Sequence, residues 1–238
     1  MAGINRSVCN VVSYNLHGFN NGRSGLLELC ENADTFLIAI QEHWLSSDNL
    51  HLLNEVHPDF VGFGVSAMSD RLASEVYYGR PYGGVGFLWR KTVASINVGY
   101  KARSGRVLSI SLNLDGSRKI NVLSVYFPCF NTSREYSMQL SECLSDIEVV
   151  LSEGCEVIIA GDTNFECNMS NEGYRQCFDL FTNYRVHHCD DFILCRPADR
   201  ITYRNDALNH TSFIDHMFVS DSLRNEILSA AIYDSGGP

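Results

Sequence analysis

The stretch Val157-Ile158-Ile159-Ala160-Gly161-Asp162-Thr163-Asn164 decides the fold. Its first half reads as a buried strand, and polar groups follow at once. The apolar run 36–40 leads in the same way into Gln41-Glu42-His43, and Phe213-Ile214 leads into Asp215-His216. Carboxylates are rarely buried without a partner, so several at strand ends predict a shared sheet edge that could hold a hard divalent cation. Such an edge indicates metal-assisted phosphoester chemistry.

Length and composition predict one domain spanning residues 1–238. The chain is 45% hydrophobic, and no break in composition divides it. Its apolar runs fall short of the roughly 20 residues that span a bilayer. Residues 1–6 lack the hydrophobic segment of a signal peptide. We therefore expect an intracellular protein that does not act at a membrane.

The formal net charge of -10 argues against binding of nucleic acid by bulk electrostatics. It does not exclude a nuclease, because a metal ion supplies positive charge at the scissile phosphate. A local basic face is also compatible with an acidic total, although scattered solvated charges are the alternative interpretation. The candidates for such a face are Arg90-Lys91, Arg103, Arg106, Arg118-Lys119, Arg200 and Arg204.

The nine cysteines form no Cys-x-x-Cys pair, and an odd number favours reduced thiols. Cysteines between Cys167 and Cys195, with His187 and His188 beside them, suggest a zinc site at first sight. Their spacings match none of the usual structural zinc patterns. The sequence therefore does not predict zinc.

Hydrophobic periodicity predicts many strands and few helices. The predicted helices span Ser24–Asn32, Ser46–Val56, Ser133–Ser152 and Gly173–Tyr184. The predicted strands span Val8–Tyr14, Phe36–Ile40, Phe60–Val65, Gly84–Trp89, Arg106–Leu114, Lys119–Tyr126, the run at Val157, Ile201–Arg204, Ser212–Val219 and Ile227–Tyr233, with a hairpin turn at Asp115-Gly116. This order implies an α/β protein in which two sheets pack face to face with helices outside.

Five motifs stand in order along the chain: Ser13-Tyr14-Asn15, Gln41-Glu42-His43-Trp44-Leu45, Gly83-Gly84-Val85-Gly86, Val125-Tyr126-Phe127-Pro128 and Ser212-Phe213-Ile214-Asp215-His216. Together they resemble the endonuclease/exonuclease/phosphatase family, which includes DNase I and the apurinic/apyrimidinic endonucleases. Within it, they look most like the endonuclease domain of LINE-type (non-LTR) retrotransposons. The resemblance implies a DNase I-like, four-layer αββα sandwich of two mixed sheets.

The resemblance assigns roles to six side chains. Glu42 and Asn15 are implied at the metal, which is Mg²⁺ with Mn²⁺ as a possible substitute. Asp162 orients or deprotonates the attacking water, and Asn164 donates a hydrogen bond to that water or the phosphate. The remaining two implied catalytic residues are Tyr126, on the phosphate oxygens, and Asp215, which pairs with a histidine in the family.

Three histidines in these motifs receive other interpretations. His216 follows Asp215 directly and therefore points to the opposite face of a regular strand, so we interpret it as structural. His17 and His43 are interpreted as surface groups.

The family's catalytic histidine lies in a Ser-Asp-His motif on a further strand, and the sequence contains no such motif. We therefore expect a fragment that is truncated before that strand, with the final strand missing. Loss of a group of this kind typically costs several kcal/mol of transition-state stabilisation, so weak or missing nicking is expected.

A hairpin between Thr202 and Ser212 is implied to probe the DNA minor groove, with Arg204, Asn205 and Asn209 as readers. An ordinary exposed turn is the alternative interpretation of these residues.

The leading hypothesis is a Mg²⁺-dependent endonuclease that nicks one strand of double-stranded DNA in the nucleus. The 3′-hydroxyl would prime reverse transcription by a reverse transcriptase in the same parent polypeptide. A phosphatase of the same fold and a catalytically impaired DNA-binding fragment are the alternatives. The sequence identifies neither the target site nor the oligomeric state.

Overall fold

A computed structural model describes residues 8–68, 81–93, 99–114, 118–131, 133–193, 195 and 199–233. The side chains of residues 93, 99–103 and 114 lie outside this description. The first sheet contains β1 (Asn10–Asn15), β2 (Thr35–Gln41), β3 (Phe60–Val65) and β4 (Val85–Arg90). Its strand order is β1-β2-β4-β3, with β1 and β2 parallel and the other pairs antiparallel.

The second sheet contains β5 (Gly99–Ser104), β6 (Val107–Leu114), β7 (Arg118–Tyr126), β8 (Glu156–Asp162), β9 (Val186–His188) and β12 (Asp215–Ser220). Its order is β5-β6-β7-β8-β12-β9, and only β7 and β8 are parallel. A separate hairpin joins β10 (Tyr203–Asn205) and β11 (His210–Ser212).

Within the residues that the structure describes, four α-helices and several short 3-10 helices connect these strands. The α-helices are α1 (Phe19–Glu31), α2 (Arg134–Leu151), α3 (Glu172–Asn183) and α4 (Asp221–Arg224). The 3-10 helices are Ser47–Glu55, Lys91–Val93, Cys189–Phe192 and Asp206–Leu208. Within the described part of the chain, no helix is long and apolar enough to cross a membrane.

Strand alternation divides the apolar residues into layers. On β7, Ile120 and Val122 pack between the two sheets, whereas Leu123 and Val125 pack under α2 and α3. A third cluster packs α1 and the 3-10 helix Ser47–Glu55 on the outer face of the first sheet. The architecture is therefore a four-layer sandwich of helices, two mixed sheets and helices, as the sequence predicts.

Several predicted boundaries are wrong. Helix α1 begins at Phe19, five residues earlier than Ser24, because Gly18 turns the chain at φ 99° and the amides of Gly18 and Phe19 bind carbonyls of the loop after β2. The predicted helix Ser46–Val56 is a 3-10 helix.

The predictions for strands were less accurate near the C-terminus. Instead of one strand, Ser212–Val219 contributes to β11 and β12, with Phe213 and Ile214 between them. No strand forms over Ile227–Tyr233 apart from one bridge at Ala230, since Leu228 and Tyr233 remain exposed and no sheet face covers them. Strands β5 and β9 were missed. The predicted Asp115-Gly116 turn lies outside the described residues.

Gly161 permits the close approach of β7 and β8. A Cβ atom at this position would lie 2.0 Å from the Val125 carbonyl oxygen, which is backbone and cannot move aside cheaply. We expect Gly161→Ala to lower the free energy of unfolding by about 3 kcal/mol or more. Urea denaturation measures this change.

The matched control is Gly154→Ala. Gly154 has φ +70° but no atom within 4 Å of an added Cβ, so only its left-handed backbone resists the substitution. That strain typically costs about 1 kcal/mol. Equal destabilisation by the two variants would contradict the proposed close contact.

Candidate active site

Three polar side chains lie side by side at one end of the second sheet. In the strand register, Asp162 on β8 pairs with Tyr126 on parallel β7 and with Asp215 on antiparallel β12. The apolar run that precedes Asp162 is buried and fixes this position. The predicted shared edge of carboxylates therefore exists within this sheet.

Asn15 joins this edge to the first sheet. Its Nδ2 donates to Glu42 Oε1 over 3.1 Å and to Asp162 Oδ2 over 2.9 Å. Its Oδ1 accepts the amide of His17 over 3.0 Å, which fixes the direction of the side chain. Asn15 thus holds two carboxylates from different sheets on either side of one NH₂ group. This arrangement does not depend on the metal-ligand role that the family resemblance implies for Asn15.

Glu42 is held by a second donor and by an uncommon backbone. Trp44 Nε1 donates to Glu42 Oε2 over 3.0 Å. Glu42, Trp44, His17 and Asn164 all have positive φ, between 47° and 56°. Non-glycine residues rarely adopt this conformation, and such strain persists where the surrounding contacts enforce it, often at functional sites. Its concentration at these strand ends supports a functional role for the edge.

The Asp162 carboxylate is also fixed by Asn164. The backbone amide of Asn164 donates to Asp162 Oδ1 over 2.8 Å. The Asn164 Nδ2 donates to the Phe127 carbonyl over 2.8 Å, and its Oδ1 accepts from Cys129 Sγ over 3.2 Å. An amide NH₂ carries two hydrogens, so one remains for a ligand. Cys129 is a neighbour of this site that the sequence did not single out.

The buried carboxylates are unfavourable as anions without a cation. Burial, and then the charge of Asp215, raises the pKa of Asp162 well above that of an ordinary aspartate. Burial likewise raises the pKa of Asp215 to about 6, although a hydrogen bond with Thr202 acts in the opposite direction. None of the ion pairs among the described residues includes Glu42, Asp162 or Asp215.

The carboxylate oxygens of Glu42, Asp162 and Asp215 fit a hard divalent cation. Carboxylate oxygens are the ligands that Mg²⁺ prefers, and a cation would supply the positive charge that the buried acids lack. Tyr126 has a different role, because burial and the charge of Glu42 raise the pKa of its phenol. The phenol therefore stays protonated and can donate a hydrogen bond to an anionic ligand.

Arg106 is the basic candidate that lies beside this edge. Its guanidinium carbon is 5.2 Å from the centroid of the Tyr126 ring, and its Nη2 donates to Gln139 Oε1 over 3.2 Å. Arg106 and Tyr126 line an open cleft of about 450 Å³ together with Tyr82, Pro128, Cys129, Asn131, Glu135, Tyr136 and Gln139.

The other basic candidates whose contacts the structure describes form hydrogen bonds and ion pairs elsewhere in the fold. Arg90 donates to the carbonyls of Cys30, Asn32 and Thr35, which ties α1 to the first sheet. Arg118 and Lys119 form ion pairs with Glu156, Glu226 and Glu153. Arg200 lies near Asp190 and donates to the Ile193 carbonyl. The side chain of Arg103 lies outside the described residues.

The predicted DNA-binding residues divide between two places. Arg204 and Asn209 are exposed on the β10–β11 hairpin, and Ser212 ends it. Asn205 caps the hairpin's 3-10 turn by accepting the Leu208 amide over 3.1 Å. Thr202 lies beside Asp215 instead, since its hydroxyl accepts hydrogen bonds from the amides of Ile214 and Asp215. Sequence analysis missed Leu208, whose side chain is 74% exposed at the hairpin tip.

The histidines near the site are only partly as predicted. His17 is exposed, but His43 is fully buried, so its prediction as a surface group is wrong. The His43 ring receives the Leu45 amide and lies 3.0 Å from the Val65 carbonyl, and burial lowers its pKa to about 4. His216 is buried on the other side of β12 from Asp215, which agrees with its structural interpretation.

A model of the endonuclease/exonuclease/phosphatase family matches residues 12–228. The chain belongs to this family. Among curated proteins, no sequence match was found. The match covers every residue of the candidate active site.

Solved structures of this family share the fold at low sequence identity. The AP endonuclease LMAP from Leishmania major is 14% identical, with a TM-score of 0.68 over 91% of this chain and 80% of that one. The 3′-5′ exonuclease NExo from Neisseria meningitidis is 13% identical, with a TM-score of 0.63 over 90% and 88%. The endonuclease domain of TRAS1, a telomere-specific non-LTR retrotransposon, is 12% identical, with a TM-score of 0.60 over 90% and 86%. The chain therefore has the fold of nucleases and phosphatases.

Proposed function

We propose that this chain is a Mg²⁺-dependent endonuclease that nicks one strand of double-stranded DNA. The observation that carries the proposal is the Asn15 amide, which holds Glu42 and the buried Asp162 together at the edge shared with Asp215. Three acids that form no ion pair with any described residue suit a site whose negative charge is neutralised only when a metal ion is bound. Mn²⁺, which also takes oxygen ligands, is expected to substitute for Mg²⁺.

Glu42 would bind the metal, which supplies positive charge at the scissile phosphate. Asp162 accepts hydrogen bonds from Asn15 and Asn164, which fix the direction of its carboxylate. Its raised pKa makes it a better proton acceptor than an ordinary aspartate. This carboxylate therefore takes the proton from the attacking water in our proposal.

The phosphate oxygens would be held by donors around that carboxylate. The protonated Tyr126 phenol and the remaining amide hydrogen of Asn164 are neutral donors, and Arg106 is the nearby cation. Such fixed donors stabilise the charge that develops on phosphorus. The cleft beside Arg106 and Tyr126 offers room for the nucleotides that flank the scissile bond.

A retrotransposon origin is part of the proposal. It is supported by the five ordered motifs and by the fold shared with the TRAS1 domain. In this setting the nick leaves a 3′-hydroxyl that primes a reverse transcriptase encoded in the same parent polypeptide, and the chain acts in the nucleus. In the family, the residue that matches Asp215 pairs with the histidine of a Ser-Asp-His motif. The sequence contains no such motif, so we expect slow turnover.

Nicking of supercoiled plasmid tests this function. With enzyme in excess, we expect slow Mg²⁺-dependent conversion to the open circle, and EDTA should stop it. Glu42→Gln and Asp162→Asn should each reduce the rate by at least about 100-fold, because each removes a group that acts in the transition state. Gel electrophoresis over time measures the rates.

The control is Glu28→Gln, which changes an exposed carboxylate on α1 and should nick like the wild type. Nicking by Glu42→Gln at the wild-type rate would refute the site. A wild type that leaves plasmid intact but releases phosphate from a 3′-phosphorylated duplex or an inositol phosphate would favour a phosphatase. A 3′ phosphatase with a similar fold, NExo from Neisseria, has been solved bound to a product DNA hairpin.

The β10–β11 hairpin supports direct contact with DNA. Its exposed residues combine a cation, Arg204, with two large side chains, Tyr203 and Leu208. Proteins that bind the minor groove combine basic groups that sense its width with apolar groups that wedge between bases. We therefore propose that the hairpin selects the site of nicking and leaves the chemistry to the strand ends.

Arg204→Ala should redistribute the nicks along a labelled duplex and reduce cleavage at the preferred positions by about 10-fold or more, the loss expected for one specific arginine contact. Sequencing gels map the nicks. Arg175→Ala removes an exposed arginine from α3 and should leave the map unchanged. If Arg204→Ala gives the wild-type map, the hairpin does not select sites.

A further inference from the structure

One thiol and two imidazole rings cluster on the face of β12 opposite to Asp215. Cys167 Sγ is 3.0 Å from His188 Nε2 and 3.4 Å from His216 Nε2. His188 Nε2 is in turn 3.1 Å from His216 Nδ1. One ligand atom from each residue lies within 4.8 Å of the others. Tetrahedral zinc holds sulfur and nitrogen ligands about 3.3–3.6 Å apart, so the spacing is close to that of a metal site.

The fold brings these three residues together from distant parts of the chain. Cys167 lies in the loop after β8, His188 ends β9, and His216 lies on β12 between them. His216 is 2% exposed. The ring of Phe213 is 4.5 Å from that of His216, and the ring of Phe218 is 4.6 Å from that of His188, so aromatic rings pack against both histidines.

Oxygen acceptors contact one nitrogen of each histidine ring. His216 Nε2 lies 3.2 Å from the Phe165 carbonyl, and the backbone of Phe213 also hydrogen-bonds this ring. His188 Nδ1 lies 2.9 Å from Asp190 Oδ2, a carboxylate that can only accept. A proton on His188 Nδ1 leaves a lone pair on His188 Nε2, which faces Cys167 Sγ and His216 Nδ1.

A cation at this position would take the lone pair of His188 Nε2 together with the sulfur of Cys167 and one nitrogen of His216. The amide of Asp190 lies 3.2 Å from His188 Nδ1 and would suit the other tautomer, but that tautomer places a lone pair against the nearer carboxylate.

Asp190 has the position of a supporting residue in a zinc site. Metal-bound histidines commonly donate their second N–H to a carboxylate, which orients the ring and raises its basicity. The Asp190 carboxylate does this for His188, and Arg200 Nη1 lies 4.0 Å from the same oxygen. The cluster thus has three ligands together with the outer partner that such ligands require.

We propose that Cys167, His188 and His216 bind a thiophilic divalent cation, with Zn²⁺ as the expected ion. Binding forms one metal–sulfur and two metal–nitrogen bonds and breaks the S–H bond, whose proton leaves to solvent. Solvent completes the fourth position. The ion ties the loop after Asp162 to β9 and β12 and is distinct from the cation proposed at Glu42.

Zinc binding by the whole chain tests this proposal without reference to nicking. Protein stripped with a chelator is titrated with Zn²⁺ against a chromophoric competitor, and Co²⁺ is used as a spectroscopic probe. The wild type should bind one zinc, release about one proton per ion near neutral pH, and show a thiolate-to-cobalt charge-transfer band. Cys167→Ser should lack that band and bind Zn²⁺ at least about 100-fold more weakly, and Asp190→Asn should bind about 10- to 100-fold more weakly.

Two controls separate this site from other thiols and from the active site. Cys155→Ser changes a half-buried cysteine outside the cluster and should bind zinc like the wild type. Glu42→Gln should also keep zinc, whatever its effect on nicking. Circular dichroism checks that Cys167→Ser is folded, and zinc should raise the unfolding temperature of the wild type and of Cys155→Ser.

Equal zinc affinity in the wild type and in Cys167→Ser would overturn the proposal. So would a wild type that binds no zinc, which would leave a buried hydrogen-bonded network only. If Cys167→Ser does not fold, His188→Gln replaces it, and an unchanged cobalt spectrum in that variant would equally overturn the assignment.

Discussion

The arrangement of the active site depends on one amide group, that of Asn15. It donates to Glu42 from the first sheet and to Asp162 from the second, and so fixes how the ends of β1 and β8 face each other. A buried hydrogen-bond chain supports this contact, because Gln41 Nε2 donates to Ser124 Oγ and that hydroxyl donates to the Ile40 carbonyl. The two sheets are therefore held in register by polar contacts next to the site as well as by the apolar core between them.

The protein stores unfavourable energy at this edge. Asp162 is 3% exposed and has Asp215 as its neighbour in the strand register, yet no described lysine or arginine pairs with either. Burial of unpaired charge is unfavourable, and the left-handed backbone at Glu42 and Asn164 adds strain. Packing in the three apolar clusters offsets these costs. A site of this kind gains most from a ligand that brings positive charge.

The sequence predicted this edge well because its signal is local. Each apolar run is followed directly by its polar groups, so the strand and the side chain at its end are read together at Asp162 and at Glu42. The packing of two sheets face to face with helices outside followed from many strands with a few helices between them. The start of α1 was missed because contacts of Gly18 and Phe19 with the loop after β2 replace a side-chain cap. Arg106 could not be separated from other basic residues, since its place beside Tyr126 depends on the register of β6 and β7.

The Cys167 cluster shows the limit of sequence patterns most clearly. Its members are 21 and 49 residues apart along the chain, so no short ligand spacing reveals them. The cysteine and histidine spacings argue against zinc, and the place of His216 directly after Asp215 indicates a structural residue. Only the pairing of β12 with β9 brings the two rings together.

The stability of Asp162→Asn with and without Mg²⁺ tests the central claim most directly, namely that the buried acids are arranged for a cation. Without metal, the substitution removes a buried charge that forms no ion pair with a described residue, but it also turns one of the two oxygens that accept from Asn15 and Asn164 into an NH₂ donor, so the variant and the wild type should differ little in stability. In Mg²⁺ the wild type alone should gain stability, since binding to the folded state adds free energy as the ligand concentration exceeds the dissociation constant. Urea denaturation should therefore show that Mg²⁺ raises the free energy of unfolding of the wild type relative to that of Asp162→Asn. A variant that is equally destabilised with and without Mg²⁺ would contradict the account and make Asp162 a structural residue.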